Sequence, residues 1–275
     1  MKNIDLKTVE SFGEEWLKYD QSGLEDNETA KLFKRYFSIF PWIKLPKNAH
    51  GYDMGCGSSR WAKFVAQKVG HLHCIDPSKS IEVAKKKLKK YKNITYHQKS
   101  IDNINLKTGS QDFGYSLGVL HHVPDTQEAI KSCSKLLKSG APLLIYIYYN
   151  FDNRPPWFKY LWSFTNLIRL IICRLPKFPK FLICNLIAIF IYFPLAKFTL
   201  MLEKIGFDFK NFPLYAYRHC SFYVMRTDSR DRFGTPLEKR FTKKEIYKMM
   251  KQADLEKIKF SNLIPFWTAV GFKKR

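Results

Sequence analysis

Acidic residues are scarce in this sequence. Its 275 residues carry 24 aspartates and glutamates against 47 lysines and arginines, a formal net charge of +23. That imbalance brings an anionic partner into consideration: nucleic acid, a phospholipid surface or an acidic substrate. Lysines spread through "AKKKLKKYKN" and "FTKKEIYKMMKQ" also read as solvated helix faces. Paired cysteines are missing too. Cys56, Cys74, Cys133, Cys173, Cys184 and Cys220 are dispersed with no CxxC, and the N-terminus opens on the polar "MKNIDLKTVE" in place of a secretory signal. Reduced thiols in a cytoplasm are the expectation. "HLHC" at 71–74 offers metal-ligand types, yet a strand sends His71 and His73 to one face and Cys74 to the other, which argues against a metal. A long apolar run is also lacking. The most apolar segment, Phe181 to Ala196, lies between Lys180 and Lys197, contains Asn185 and Pro194, and falls short of the ~20 residues a spanning helix needs.

What is present is alternation. Residues 1–48 read as helical, "SFGEEWLKYD" and then "ETAKLFKRYFSIF", the second ending against Pro41. Strand and helix then alternate: a strand at 50–54, a helix from Ser58 to about Val69, "LHCID", a helix from Ser78 to about Tyr91, and "NITYHQ". "DFGYSLGV", a helix from Asp125 with Glu128 completing a capping box, and the apolar "APLLIYIYY" follow. Strict alternation implies right-handed crossovers and a parallel sheet covered on both faces, hence an α/β fold. From 151 to 232 the pattern breaks into Phe-rich, Ile-rich, Pro-punctuated sequence. This reads as a helical apolar insertion, a cap that either covers a pocket or lies in a bilayer interface with Lys and Arg on its rim. The alternation resumes at 233–275 with a helix opened by Thr242 and Glu245, then "EKIKFSN" and "FWTAVGFKK" as an antiparallel hairpin.

"DMGCGSSRW" places two glycines at the carboxyl end of the first strand, where backbone approaches a ligand closely and the following helix start offers free N–H groups. Asp76, ending the second strand, is placed to accept from the hydroxyls of a ribose. A dinucleotide is disfavoured. Arg60 stands where pyrophosphate binding wants a small residue, Asp53 would repel a diphosphate while suiting a cation, and the dinucleotide fold lacks an antiparallel hairpin at its end.

With "DMGCGSSRW", "CIDPS" and "DFGYSLGVLHHVPD" in this order, the sequence resembles the class I S-adenosylmethionine-dependent methyltransferases, through 50–150 and again at 240–275. The resemblance implies a Rossmann-like seven-stranded sheet with an antiparallel last strand, and S-adenosyl-L-methionine over the first strand ends. It implies that Asp53, Gly55, Cys56 and Gly57 hold the methionine end, Asp76 and Pro77 the ribose side, and Ser100, Ile101 and Asp102 the adenine. Gly118 and Leu120 would border the methionine from the fourth strand. Ser59 departs from the pattern, since many members have a third glycine there. "SFGEEWLKYD" looks like the lid of the small-molecule branch, with Trp16 and Tyr19 closing over the cofactor.

Methyl transfer from a sulfonium is an in-line displacement that needs positioning and water exclusion first, and a base only if the nucleophile must lose a proton. His121 and His122 end the fourth-strand motif, and two readings stand for them: contact with the acceptor, or packing and ordering of the loop before Pro124. Tyr217, Arg218 and His219, polar groups within an aromatic insertion, need partners. A substrate anion would satisfy Arg218; so would an ion pair with Asp228 or Asp231. The absence of a "[DN]PP[YF]" motif and of an RNP-like aromatic motif argues against nucleic acid. The leading expectation is a cytoplasmic methyltransferase acting at oxygen or nitrogen of a small or amphiphilic acceptor enclosed by the insertion. The alternatives are a membrane-surface enzyme for lipid or quinone head groups, touching the bilayer through 157–202, and an RNA-binding or non-catalytic cofactor-binding module. Oligomeric state is not legible.

Overall fold

Alternating side chains along β5 (Pro142–Tyr146) send Leu143 and Ile145 to one face of a sheet and Leu144 to the other, and all three are fully buried. Both faces of that sheet are therefore covered, the condition a parallel sheet requires. The structure, a computed structural model, describes residues 3–21, 23–207 and 210–275.

The other strands are β1 (His50–Met54), β2 (His71–Ile75), β3 (Ile94–His97), β4 (Phe113–Leu117), β6 (Leu255–Phe260) and β7 (Ala269–Lys273). They form a seven-stranded sheet in the order β3-β2-β1-β4-β5-β7-β6. Strands β1 to β5 pair in parallel, while β7 runs antiparallel to both β5 and β6. The order reverses between β1 and β4, the point where open α/β sheets leave a crevice at their strand carboxyl ends. One face packs against α5 (Thr126–Leu136) and α10 (Lys243–Gln252) through Ile130, Cys133, Ile246 and Met250. The other packs against α2 (Asp26–Tyr36), α3 (Ala62–Ala66) and α4 (Ser80–Lys87) through Phe33, Val65 and Ile81. The Thr242/Glu245 capping box is complete; at α5 only half of the expected box forms, since Asp125 accepts from the Glu128 amide at 2.9 Å while the Asp125 amide donates to the Asn3 side chain and the Glu128 carboxylate faces Lys131 and Lys135. Helices α3 and α4 are shorter than the sequence pattern suggests, because turns occupy the residues after Gly57 and after Asp76.

The chain divides into two compact units. The first comprises Met1–Gln21, Thr29–Tyr149 and Leu237–Arg275, and the second Ser22–Glu28 and Asn150–Pro236. In the second lie α6 (Pro156–Ile172), α7 (Lys177–Ile187), α8 (Phe193–Lys204) and α9 (Phe222–Gly234), around a small core of Ile172, Cys184, Tyr192, Ala196, Met225 and Phe233.

The apolar segment is longer than its sequence punctuation implied. Residues Lys177–Lys204 form one helical stretch of 28 residues, long and apolar enough to cross a membrane by length and composition. At 1.5 Å per residue it measures about 42 Å. A π-helical turn at Ala188–Tyr192 lies just ahead of Pro194, so the proline enters where the α-helical ladder is already interrupted and does not end the helix. Asn185, the other polar break, donates from its side chain to the Phe181 carbonyl at 2.9 Å within the same helix.

Candidate cofactor site at the strand carboxyl ends

The turn after β1 is built on positive backbone angles. Gly55 and Gly57 have φ of +79° and +52°, and both Gly55 and Cys56 donate their amides to the Ile75 carbonyl, at 2.8 and 3.0 Å. A Cβ on Gly55 would stand 2.4 Å from Val119, so no side chain fits there. The next residue of this kind is not a glycine. Ser59 adopts φ +58°, is 2% exposed, and its hydroxyl has no hydrogen-bond partner among the described residues. This is thus a left-handed position that serine fills under strain. Ser59→Gly is expected to raise stability by roughly 0.5–1 kcal/mol, read as a higher urea midpoint. A lower midpoint would show that Ser59 is supported by something other than its backbone.

Asp76 organises the loop as well as offering itself to a ribose. Its Oδ2 accepts from the Gly57 amide at 2.9 Å, and its Oδ1 accepts from the Ser78 amide at 2.9 Å and the Ser78 hydroxyl at 2.6 Å. A carboxylate has about four lone-pair sites, so capacity remains for a ligand hydroxyl. The Asp76-Pro77-Ser78 spacing is the signal that could have shown this, since Asp two residues before an amide readily forms such a turn.

Asp53 is the unsatisfied group of the site. It is 2% exposed on β1 and its Oδ2 has no hydrogen-bond partner among the described residues. Burial pushes its carboxyl up to about 8; Tyr115, its register partner on β4, pulls the other way, and the Asp76 charge adds to the rise. A buried carboxylate in this state calls for a cation. S-adenosylmethionine carries an ammonium and a sulfonium at its methionine end, so the group fits. Cys56, buried, directs its thiol to the Gly57 carbonyl at 3.8 Å, and burial raises that thiol well above its ordinary range.

The remaining expected residues divide. Gly118, at φ +79°, has open space where a Cβ would be, which leaves room beside the end of β4. Leu120 is corrected: 1% exposed, it turns its side chain into the core and offers a ligand only its backbone. Ser100 is buried and Ile101 half-buried at the end of the β3 loop, and Asp102 accepts from the Asn3 amide. Asn3, which the sequence reading did not single out, also clasps Asp125 through both its backbone groups, at 2.6 and 2.7 Å. Helix α1 (Leu6–Lys18) brings Trp16 to the glycine turn, its Nε1 3.0 Å from where a Gly57 Cβ would stand. The same helix passes Gly13 against Ser78, whose Cβ is 3.4 Å from a built Gly13 Cβ. Tyr19 is buried at the end of α1, where its amide donates to the Glu15 carbonyl at 2.7 Å.

The histidines separate by partner. His122 lies 2.6 Å through Nδ1 from the Leu237 carbonyl and meets Phe12 edge-on. It orders the loop where the chain rejoins the sheet. His121 is fully buried between His122 and Tyr148, with centroids 3.9 and 3.8 Å away, and neither ring nitrogen has a hydrogen-bond partner among the described residues. Burial, then His122 and Arg240, hold its pKa well below the ordinary 6.5.

In the second unit, Arg218 has an internal partner. It grips both carboxylate oxygens of Glu203, at 3.0 and 3.1 Å, stacks on Tyr215 at 3.6 Å, and His219 joins the same carboxylate at 2.8 Å. This corrects both expectations for Arg218, since Glu203 stands in place of a substrate anion and of Asp228 or Asp231. Tyr217 has its phenol pushed well above 10 by burial and then by the Asp228 charge.

Residues 52–145 match the sequence family described as "Methyltransferase domain". A ubiquinone biosynthesis O-methyltransferase of Coxiella burnetii is 32% identical over 99 residues, which covers 35% of this chain and 42% of that protein. Phosphoethanolamine N-methyltransferase 2 of Caenorhabditis elegans is 28% identical over 126 residues, 44% of this chain and 28% of that protein. This chain therefore spans less than half the length of these curated relatives. Among solved structures, a Bacillus halodurans C-125 protein superposes with a TM-score of 0.51 at 13% identity, covering 86% of this chain and 72% of its own. The YcgJ protein of a Bacillus species superposes at 0.50 and 13% identity, covering 86% and 70%. These likenesses show the fold. The family match runs from Tyr52 to Ile145, over the β1 to β5 stretch that holds Asp53, the glycine turn and Asp76, and this part of the chain is a methyltransferase domain of the S-adenosylmethionine-dependent kind.

Proposed function

We propose that this protein transfers the methyl group of S-adenosylmethionine to oxygen or nitrogen of a small or amphiphilic acceptor. The observation that carries the reading is Asp53, a buried carboxyl with an unpartnered oxygen beside a glycine turn that Asp76 holds open. Bound there, the cofactor supplies an electrophilic methyl; the chain's part is to hold its methionine end at Asp53, to cover the loop with Trp16, and to keep water out. The relatives' names include one oxygen and one nitrogen acceptor, which supports both atoms equally. If the acceptor must lose a proton, His121 is the candidate base, because both its ring nitrogens are uncommitted among the described residues, though the burial that keeps the imidazole neutral also makes it a weak base. The test is incubation with methyl-labelled cofactor and, separately, a water-soluble metabolite extract and a detergent-dispersed lipid extract. Label in either fraction supports the reading, and label in neither sinks it.

A second reading, catalysis at a membrane surface, is favoured by the second unit. Tyr160, Phe164, Leu167 and Ile171 on α6, and Phe178 and Phe190 along the 28-residue helix, are each more than 60% exposed. Lys159, Arg174, Lys177, Lys180, Lys197 and Lys204 flank or punctuate these helices, a pattern suited to an anionic bilayer interface. The six cysteines, all free thiols, support the cytoplasmic side. The protein is expected to float with vesicles containing phosphatidylglycerol, and F164D/F190D to weaken that binding by about tenfold or more, the scale of ~0.8 kcal/mol per buried methylene. Wild-type protein that stays in the pellet fraction would end the membrane version while leaving methyl transfer standing.

A further inference from the structure

Arg230 is a buried cation without a counter-charge among the described residues. It lies on α9 at 5% exposure, its Nη1 has no hydrogen-bond partner, and it makes no ion pair or ring contact among the described residues. Two other arginines of this unit, Arg169 and Arg218, show what satisfaction looks like, while Arg226 and Arg232, each with one buried nitrogen unbonded, lie against the rings of Tyr223 and of Trp162 and Phe233. Arg169, 4% exposed, donates from Nη1 to the Thr235 and Pro236 carbonyls at 2.8 and 3.1 Å and from Nε to Asn166 at 2.8 Å. Arg218 is bidentate to Glu203.

Space has been kept for the Arg230 head group. A Cβ on Gly234, one turn further along α9, would stand 2.6 Å from Nη1 and 3.0 Å from Cζ, so the guanidinium lies over a position that only glycine leaves open. The acids of the same helix face other groups: Asp228 acts on Tyr217, and Asp231 accepts from the Thr235 hydroxyl at 3.4 Å. The helix C-terminus offers Arg230 partial negative charge but no hydrogen bond. A guanidinium cannot shed its proton to escape the cost of burial, so a fixed cation in this setting needs an anion from elsewhere.

From this we infer that Arg230 anchors an oxyanion-binding site in the second unit, taking a carboxylate or a phosphate through its planar fork of donors. The site is independent of the methyl-transfer reading, because anion binding requires neither cofactor nor turnover. The oxyanion is either free in solution or part of an amphiphile's head group.

The experiment is thermal unfolding of the full chain in chloride at fixed ionic strength, titrated with inorganic phosphate, with acetate, or with a short-chain phosphatidylglycerol below its micelle concentration. At least one of the three is expected to raise the midpoint in a saturable way. In R230M the apparent dissociation constant should weaken at least tenfold, while the midpoint in chloride alone stays at or above the wild-type value, since the uncompensated charge is gone. A response to phosphate or acetate identifies a free oxyanion; a response to the lipid alone identifies a head group. Should R230M fail to fold, R230K keeps the charge but loses the fork, and its binding should weaken several-fold. No saturable shift with any probe, or an unchanged shift in the variant that folds, overturns the site.

Discussion

Asp53→Asn is expected to weaken S-adenosylmethionine binding by roughly 10- to 100-fold near pH 9 and to remove most of its pH dependence, the loss matching about 1.5–3 kcal/mol for a hydrogen bond to a charged group. In the free wild-type protein the Asp53 carboxyl titrates at about 8, so near pH 7 it holds a proton that a cationic ligand must displace. Wild-type affinity should therefore rise about tenfold per pH unit up to about pH 8 and level off above it, with a proton released on binding below that point. Stability of the free protein moves the opposite way. The carboxyl's folded pKa lies above its ordinary 3.8, so the folded state keeps a proton that the unfolded chain gives up. That contribution is full below about pH 4 and is lost as pH rises through about 8. Asp53→Asn should escape this loss and be the more stable protein near pH 9, by on the order of 1–3 kcal/mol. Calorimetry in two buffers of different ionisation enthalpy, together with urea melts, reads both effects. Equal pH slopes for the two proteins would show that Asp53 does not meet the cofactor's positive end.

Asp76→Asn tests the other carboxylate and has a different signature. The amide keeps one acceptor oxygen but turns a donor toward the Gly57 amide or toward the Ser78 amide and hydroxyl, all of which donate to the native side chain. Cofactor affinity should fall 10- to 100-fold and, unlike at Asp53, stability should fall as well, by about 1–3 kcal/mol. A variant that keeps both would place the ribose contact elsewhere and make the observed hydrogen bonds dispensable.

The contrast between these two acids also shows what the sequence could and could not convey. The positions of both were legible, because strand alternation and two glycines locate the ends of β1 and β2. Their environments were not. The proton on Asp53 comes from burial on the central strand and from the nearby Asp76 charge, with Tyr115 across the strand pair opposing both, and all of these are tertiary facts. Arg218 illustrates the same limit, since Glu203 sits 15 residues away on another helix and nothing local joins them. The helix through Pro194 failed for the opposite reason: proline is a strong local signal for a break, and a π-helical turn ahead of it cancels that signal. Leu120 lay in the right motif with its side chain on the wrong side, because the turn after β4 rotates it into the core. The Thr242/Glu245 capping box, the parallel order and the antiparallel final strand were readable because each rests on short-range chemistry or on connection rules.

The measurement that bears most directly on the proposed activity is calorimetric titration of S-adenosylmethionine into the wild-type protein near pH 8. The expected result is one saturable site with a dissociation constant between about 1 μM and 1 mM, the usual range for an enzyme's substrate, with part of a proton released per molecule bound. No heat of binding at millimolar cofactor, in protein shown to be folded, would contradict it.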